Sequence, residues 1–345
     1  MLSRRFNYWL IQRWQTLGLA QVFLLPLAGL FAVISASRRW LYAHQWLASH
    51  KLAVPVIVVG NISVGGTGKT PLVIYLAHQL KLAGLKPGII SRGYGGSTSG
   101  EVTANSQPAD VGDEPVLIAQ RSACPVWVNA QRVAAGRALL QAYPACNVLI
   151  SDDGLQHYAL QRDVEIAVQA RRSFGNQLLL PAGPLREKIA RLQTVDAIVD
   201  AGSDLAFGFD ALGGLPPVFA MALQGAQFES LNDASTQPAH YFADKNLVAI
   251  AGIGNPQAFF NHLSHLGLQF ASVSFADHHA FSAQDFAAYA QKTILMTEKD
   301  AIKCKAFKLA DAWYLPVTAN IENNQNKQTL IEVILDKIKR QVKQI

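Results

Sequence analysis

Val54-Pro55-Val56-Ile57-Val58-Val59-Gly60-Asn61-Ile62-Ser63-Val64-Gly65-Gly66-Thr67-Gly68-Lys69-Thr70-Pro71 is the stretch whose reading decides the fold. Its β-branched start, 54–59, reads as a strand buried on both faces of a parallel sheet. A glycine-rich loop follows at once, and beyond it Leu72, Val73, Leu76 and Leu80 recur at helical spacing. Strand, glycine loop and helix in this order form the setting of a phosphate-binding loop. Glycines let backbone N–H groups turn inward around phosphate oxygens, and the helix N-terminus adds a partial positive charge. On this reading Ser63, Val64, Gly65, Gly66, Thr67, Gly68, Lys69 and Thr70 bind nucleotide phosphates. Lys69 reaches the terminal phosphates, the Thr70 hydroxyl ligates Mg²⁺, and Pro71 suits a first helical turn.

The loop is a variant, because Ser63 stands where the pattern GxxxxGK[ST] has its first glycine. Val64 occupies the place where membrane-partitioning ATPases carry a lysine. The guanine-nucleotide motifs DxxG and NKxD are not met either: Asp152-Asp153-Gly154-Leu155 lacks the glycine at the right distance, and Thr297-Glu298-Lys299-Asp300 has its lysine one place late. ATP is therefore the expected nucleotide.

Working outward, Asn147-Val148-Leu149-Ile150-Ser151-Asp152-Asp153-Gly154 is an apolar strand ending in two acids. It places carboxylates at the C-terminal edge of the sheet, where open α/β folds bind ligands. One carboxylate can hold Mg²⁺ and the next can position or deprotonate a nucleophile. Gln156-His157 follows immediately, with His157 as readily a structural group as a functional one. Val111-Gly112-Asp113-Glu114-Pro115 and Phe275-Ala276-Asp277-His278-His279-Ala280-Phe281 are turn-like clusters of acids and imidazoles. An Asp–His pair is what phosphoryl transfer to an alcohol can use, a base near the acceptor hydroxyl with a partner that orients it. His262 and His265 show no third ligand and read as structural.

The chain has 345 residues, 50% of them apolar and 16% charged, which excludes disorder and predicts two units, each with its own core. Thirty Lys and Arg against twenty-four Asp and Glu leave +6, favouring anionic partners in general. Cys124, Cys146 and Cys304 lie too far apart for a disulfide framework or a thiolate metal site and fit a reducing compartment. The basic residues are scattered and no aromatic RNA-binding stretch occurs, so no nucleic-acid partner is expected, and the protein is expected to be a monomer.

From Trp14 to Ser37 there is no charged residue, and Arg4, Arg5 and Arg13 precede while Arg38 and Arg39 follow. A helix over this window is ~36 Å long, enough to cross a bilayer. Pro26, Gly18, Gly29, Gln15 and Gln21 interrupt it, and a single span would place three arginines outside against the positive-inside tendency. A monotopic, interface-lying or re-entrant anchor is favoured over a span, over a cleaved signal peptide, and over an apolar helix buried against the protein.

Strands at 54–59, 86–90, 125–129, 147–151, 164–168 and 196–199 alternate with helical patterns. The expected fold is α/β, a P-loop NTPase-type, mostly parallel sheet flanked by helices, with a smaller second α/β domain and an N-terminal membrane-associated helix. The expected organisation is an anchor region over 1–45, a phosphate-loop core over 46–225, a linker over 226–245 within the weakly patterned 201–240 and beyond, and a second domain over 246–345. That second domain opens with Asn246-Leu-Val-Ala-Ile-Ala-Gly-Ile-Gly254, whose glycines read as a packing feature of a strand-to-helix turn and not as a second nucleotide site.

With these residues in view the chain resembles the tetraacyldisaccharide 4′-kinases of Gram-negative bacteria. The strings are Val-Val-Gly-Asn-x4-Gly-x-Gly-Lys-Thr-Pro at 58–71, Ser91-Arg92-Gly93-Tyr94-Gly95-Gly96, Gly112-Asp113-Glu114-Pro115, Asp152-Asp153-Gly154-Leu155-Gln156-His157, Leu180-Pro181-Ala182-Gly183-Pro184-Leu185-Arg186-Glu187, Ala276-Asp277-His278 and Met296-Thr297-Glu298-Lys299-Asp300-Ala301, in family order. The resemblance implies transfer of the ATP γ-phosphate to the 4′-hydroxyl of a tetraacylated glucosamine disaccharide 1-phosphate, giving lipid IVA at the cytoplasmic face of the inner membrane. It further implies that Lys69 and Thr70 handle phosphates and Mg²⁺, that Glu114 and Asp152 surround the metal, and that Asp113 with His278 forms the catalytic dyad. Asp153, Glu187 and His157 carry over more weakly. One departure lies in 165–176, where the family often has an Asp near Gln169; there Arg171 and Arg172 could meet the anomeric phosphate. The alternative class is a membrane-docked P-loop ATPase acting as a switch for a protein partner.

Overall fold

In a computed structural model the chain is described over residues 13–202, 214–233 and 235–342. Arg4 and Arg5 lie outside the described residues, as do the side chains of Arg171 and Arg172. The first element is helix α1 (Leu19–Ala43), with Pro26 inside it and only Gln21 and Ala28 buried. It is the one helix among the described residues long and apolar enough to cross a membrane. Leu19 and Phe23 are 80% and 81% exposed, and Val22, Leu27, Leu30, Val33 and Ile34 are exposed with them. Burial against the rest of the chain therefore does not account for the apolar run, whose helix, Leu19–Ala43, is displaced towards the C-terminus of the charge-free window Trp14–Ser37.

The phosphate-loop stretch forms strand β1 (Val56–Gly60) and helix α2 (Lys69–Leu82). They are followed by β2 (Pro87–Ser91), β3 (Gly100–Val102), the single turn α3 (Pro108–Val111), α4 (Asp113–Ser122), β4 (Val126–Val128), α5 (Arg132–Ala142), β5 (Val148–Ser151), β6 (Val164–Gln169), β7 (Ala197–Asp200) and β8 (Val218–Gln224). Val56, Ile57, Val58 and Val59 are all fully buried. Alternate side chains enter two separate cores: Ile57 and Val59 pack with Leu72, Leu76 and Leu80, while Val56 and Val58 pack with Leu139, Leu149 and Leu155. Helices thus cover both faces, as the unbroken β-branched run requires, and each such burial stabilises the fold by ~1.5–3 kcal/mol.

The remaining elements are β9 (Gln227–Ser230), β10 (Thr236–Pro238), β11 (Leu247–Ala251), α6 (Pro256–His265), β12 (Phe270–Ser274), β13 (Thr293–Thr297), α7 (Glu298–Cys304), β14 (Ala312–Leu315), β15 (Thr318–Ile321) and α8 (Leu330–Val342). The first sheet runs β15-β8-β7-β6-β1-β5-β2-β4-β3, and the second β10-β9-β14-β13-β11-β12. The first is parallel from β8 to β4, with β3 and β15 antiparallel at its edges. The architecture is thus α/β with two mostly parallel sheets.

Two expected boundaries differ. The stretch 226–245 is no linker, since β9 and β10 pair with each other and β9 with β14 at the edge of the second sheet. Nor does the second unit extend to the end of the chain, because β15 pairs with β8, and Leu330 and Ile334 of α8 enter the core around α2. The strands concerned, β9, β10 and β15, are all added antiparallel to their sheets. Edge strands are short and half solvated, so they carry little apolar pattern, and antiparallel return strands obey no local rule.

Candidate active site

Strands β1, β2, β5 and β6 are parallel neighbours, so their C-terminal ends lie along one edge and deliver the phosphate loop, the Ser91–Gly96 loop, the Asp152-Asp153 pair and Gln169 together. Gly68 precedes α2 in the left-handed conformation, φ +83°, which only glycine adopts at little cost, and the helix starts at Lys69 with Thr70 in its first turn. Gly65 and Gly66 are exposed, while Asn61, Ser63 and Thr67 are buried beneath them. Asn61 Nδ2 donates to Thr67 Oγ1 at 3.2 Å, pinning the loop from inside. Ser63 takes the place of the pattern's first glycine because it is anchored: its hydroxyl reaches Gln169 Oε1 at 3.5 Å, and its backbone bridges Leu185. The next loop residue is held the same way, Val64 N–H donating to Pro184 O at 2.9 Å.

Asp152 and Asp153 sit side by side in opposite electrostatic surroundings. Asp152 is 1% exposed; Ser91 Oγ donates to its Oδ2 at 3.2 Å, whereas its buried Oδ1 has no hydrogen-bond partner. Burial, then the charges of Glu114 and Asp153, push its carboxyl up to about 7. Asp153, at φ +46°, is also pushed up by burial, but Lys69 at 3.5 Å and Arg186 at 3.2 Å outweigh that and hold it below the usual carboxylate range. A buried carboxylate oxygen without a hydrogen-bond partner, in the field of Glu114 and Asp153, suits a divalent cation. Among the described residues no three His, Cys, Asp or Glu side chains converge as a metal cage. Mg²⁺ needs only one or two carboxylates and completes its shell with phosphates and water.

Asp113 and His278 are 165 positions apart in sequence and meet: His278 Nδ1 lies 3.2 Å from Asp113 Oδ1. Asp113 is buried at the first position of α4, and His278 is half-buried on the loop after β12 at φ +56°. Burial raises the Asp113 carboxyl, yet the His278 hydrogen bond and the Lys299 ammonium hold it at about 2. The same hydrogen bond lifts the His278 ring above its ordinary value against burial and Lys299. Tyr94 covers the ring at 5.2 Å. Glu114, next along α4, accepts from Lys299 Nζ at 3.0 Å.

The remaining candidates divide. Glu187 is buried and accepts from Gln156 Nε2 at 2.7 Å and Tyr158 Oη at 2.6 Å, which supports the Leu180–Glu187 strap on the phosphate loop. His157 is lowered to about 4 by burial and the arginines around it, so its ring is neutral. His262 lies 2.7 Å from the Gly225 carbonyl oxygen and His279 pairs with Asp285, both outside the constellation. Lys299, Asp277, Arg186 and Gln169 belong to it without having been assigned a role from sequence. Their only signal was membership of, or departure from, the shared strings, since no local spacing links Lys299 to acids nearly two hundred positions earlier.

A family model described as "Tetraacyldisaccharide-1-P 4'-kinase" (LpxK) matches residues 20–338. The chain is 50% identical over 311 residues to a tetraacyldisaccharide 4′-kinase of Aromatoleum aromaticum, covering 89% of this chain and 92% of that relative. It is 45% identical over 342 residues to one of Methylobacillus flagellatus, covering 98% of each. A crystal structure described as the "apo" form of LpxK from Aquifex aeolicus in complex with ATP superposes with a TM-score of 0.77 at 31% identity, over 93% of this chain and 100% of that one.

Proposed function

The chain belongs to the tetraacyldisaccharide-1-P 4′-kinase family, and from that premise we propose that it transfers the γ-phosphate of ATP to the 4′-hydroxyl of a tetraacyldisaccharide 1-phosphate, giving lipid IVA. The observation that carries the reading is the 3.2 Å contact of Asp113 with His278, standing against a phosphate-loop edge that bears Lys69 and two carboxylates. Neither half alone makes a lipid kinase. The phosphate loop cradles the nucleotide, with backbone N–H groups from Ser63 to Gly68 and the start of α2 turned to its phosphates. Lys69 draws charge off the transferring phosphoryl group, and Asp153, held ionised by Lys69 and Arg186, positions that lysine. Thr70, Glu114 and Asp152 would hold Mg²⁺, which neutralises phosphate charge when bound.

Asp113 and His278 act as one unit on the acceptor hydroxyl. Asp113 orients the ring and stabilises its protonated form, so the pair can take the hydroxyl proton as the oxygen attacks phosphorus. Helix α1, with its exposed apolar side chains, lies in the inner membrane, and the ATP requirement places the catalytic sheet edge at its cytoplasmic face. Arg39 of α1 lies 3.8 Å from Glu187 and Trp14 Nε1 donates to Pro181 O at 3.0 Å, so the anchor meets the strap beside the phosphate loop. The lipid can then be phosphorylated without leaving the bilayer surface. No nucleic acid takes part, and the enzyme works as a monomer.

The test is transfer of labelled γ-phosphate from Mg·ATP to a tetraacyldisaccharide 1-phosphate in detergent micelles. Label in the lipid is the expected result. Label released only as inorganic phosphate, without lipid, would replace this reading by that of an ATPase switch.

A further inference from the structure

Lys299 stands outside the roles assigned above, yet it touches more of the constellation than any other cation among the described residues. It is the second residue of α7, in the second sheet's unit, and its side chain is 16% exposed. Its Nζ lies 3.0 Å from Glu114 Oε1, 3.6 Å from Asp277 Oδ1 and 3.8 Å from Asp113 Oδ2. Asp113 Oδ2 is buried and accepts no hydrogen bond, so His278 holds one oxygen of this carboxylate and Lys299 faces the other. An ammonium withdrawn from water is costly unless paired, and here three carboxylates compensate it.

The neighbouring residue supplies an internal comparison. Glu298 accepts from Arg121 Nη1 at 2.6 Å, eight positions along α4 from Asp113, roughly 12 Å along the helix axis. Adjacent residues of α7 thus engage α4 at both ends: Glu298 at the end remote from the chemistry, and Lys299 at the end that carries Asp113 and Glu114. Docking of the two helices needs only a tie of the first kind. The three-way contact at Lys299 does more, because it sets the position of Asp113 relative to Glu114 and to the loop that bears Asp277 and His278.

We propose that Lys299 is a positioning residue of the phosphoryl transfer, its ammonium reaching from the second sheet's unit to hold Asp113, Glu114 and Asp277 in the arrangement that lets Asp113 and His278 act together on the acceptor hydroxyl. The proposal rests on the kinase reading above. Lys299→Met loses on the order of 100-fold in kcat while KM for ATP stays within about threefold, and Lys299→Arg recovers most of the loss. Glu298→Gln, which loosens the remote tie alone, remains within about threefold of the unsubstituted enzyme in both constants. Equal small losses in the Lys299→Met and Glu298→Gln variants, or a loss of Lys299→Met confined to KM, would reduce Lys299 to a docking contact and overturn the proposal. If the Met variant fails to fold, Lys299→Gln, a polar side chain without the charge, takes its place. A crystal structure of the variant decides independently of activity. Expected are a displaced Glu114 and an Asp113–His278 separation beyond hydrogen-bond reach; an unchanged constellation overturns the proposal. Absence of label transfer by the unsubstituted enzyme overturns the kinase reading instead, and the crystallographic arm still decides the role of Lys299.

Discussion

The chain contains two strand–glycine turn–helix units of the same build, and they do opposite things. In the first, β1 lies between β5 and β6 and runs through the loop 61–68 into α2; in the second, β11 lies between β12 and β13 and runs through Gly252-Ile253-Gly254-Asn255 into α6. Both strands are fully buried apart from a trace of Leu247. The first turn is long, ends in the left-handed Gly68 and leads into Lys69-Thr70. The second is short, and the Gly252 N–H is already taken by the buried carboxylate of Asp300, at 2.9 Å. The backbone donor that follows β11 is thus satisfied within the protein. The later glycine of the turn serves another purpose, since a Cβ on Gly254 would come within 2.9 Å of Gly66 N and 3.2 Å of Asp277 Oδ2. The second turn is the place where the other unit's backbone meets the phosphate loop.

Breaking the first unit should have the largest effect. Lys69→Ala is expected to lower transfer to lipid by about 10³-fold or more with an unchanged melting profile. Near-normal turnover in that variant would remove the phosphate-loop assignment. Next come Asp113→Ala and His278→Ala, each expected to lower kcat by about 10²- to 10³-fold with a smaller change in ATP affinity. Because the two act as a unit, the double variant should be little worse than either single one, and additive losses would argue that they act separately.

The comparison is sharpened by pH. Asp113 raises the His278 ring above the ordinary 6.5, with Asp277 acting in the same direction and Lys299 against them. Transfer needs the ring able to accept a proton, so kcat should be low in acid and rise with pH through a midpoint above 6.5. Residual activity of Asp113→Asn should show that midpoint moved to lower pH, and an unmoved midpoint would dissociate the limb from His278. The smallest effect is expected from Gly254→Ala, where the added methyl must push Gly66 or Asp277 aside. A loss of about tenfold in kcat/KM is expected, with retained folding; wild-type kinetics would mean that the contact between the two turns does not set the loop's position.

The sequence carried the first of these units in full. Strand, loop and helix are consecutive, so periodicity 2 passing to 3.6 across a glycine loop was enough to place Val56–Gly60, Lys69 and Thr70, and the same local logic placed Asp152-Asp153 at the end of β5. The exposure of α1 could not be read that way. An apolar helix has the same composition whether it packs inside a protein or faces a bilayer, and only its 80% exposed leucine and its neighbours distinguish the two. The edge strands β10 and β15, and β9 beside β10, escaped for want of apolar alternation.

What the sequence determined by itself, then, was every feature whose parts are neighbours along the chain: the α/β class, the glycine loop before Lys69, the acidic strand end and the N-terminal apolar run. What only the tertiary structure decided was which distant charges meet. Asp113 finds His278 and Lys299 across more than 160 positions, and the carboxylates of Asp152 and Asp153, adjacent in sequence, are driven in opposite directions by what folds against them. The reason is physical. Secondary structure follows from local sterics and the spacing of apolar side chains, whereas the proton affinity and orientation of a buried charge depend on the solvent it has lost and the charges within a few ångströms, and these exist only once the two sheets are in place.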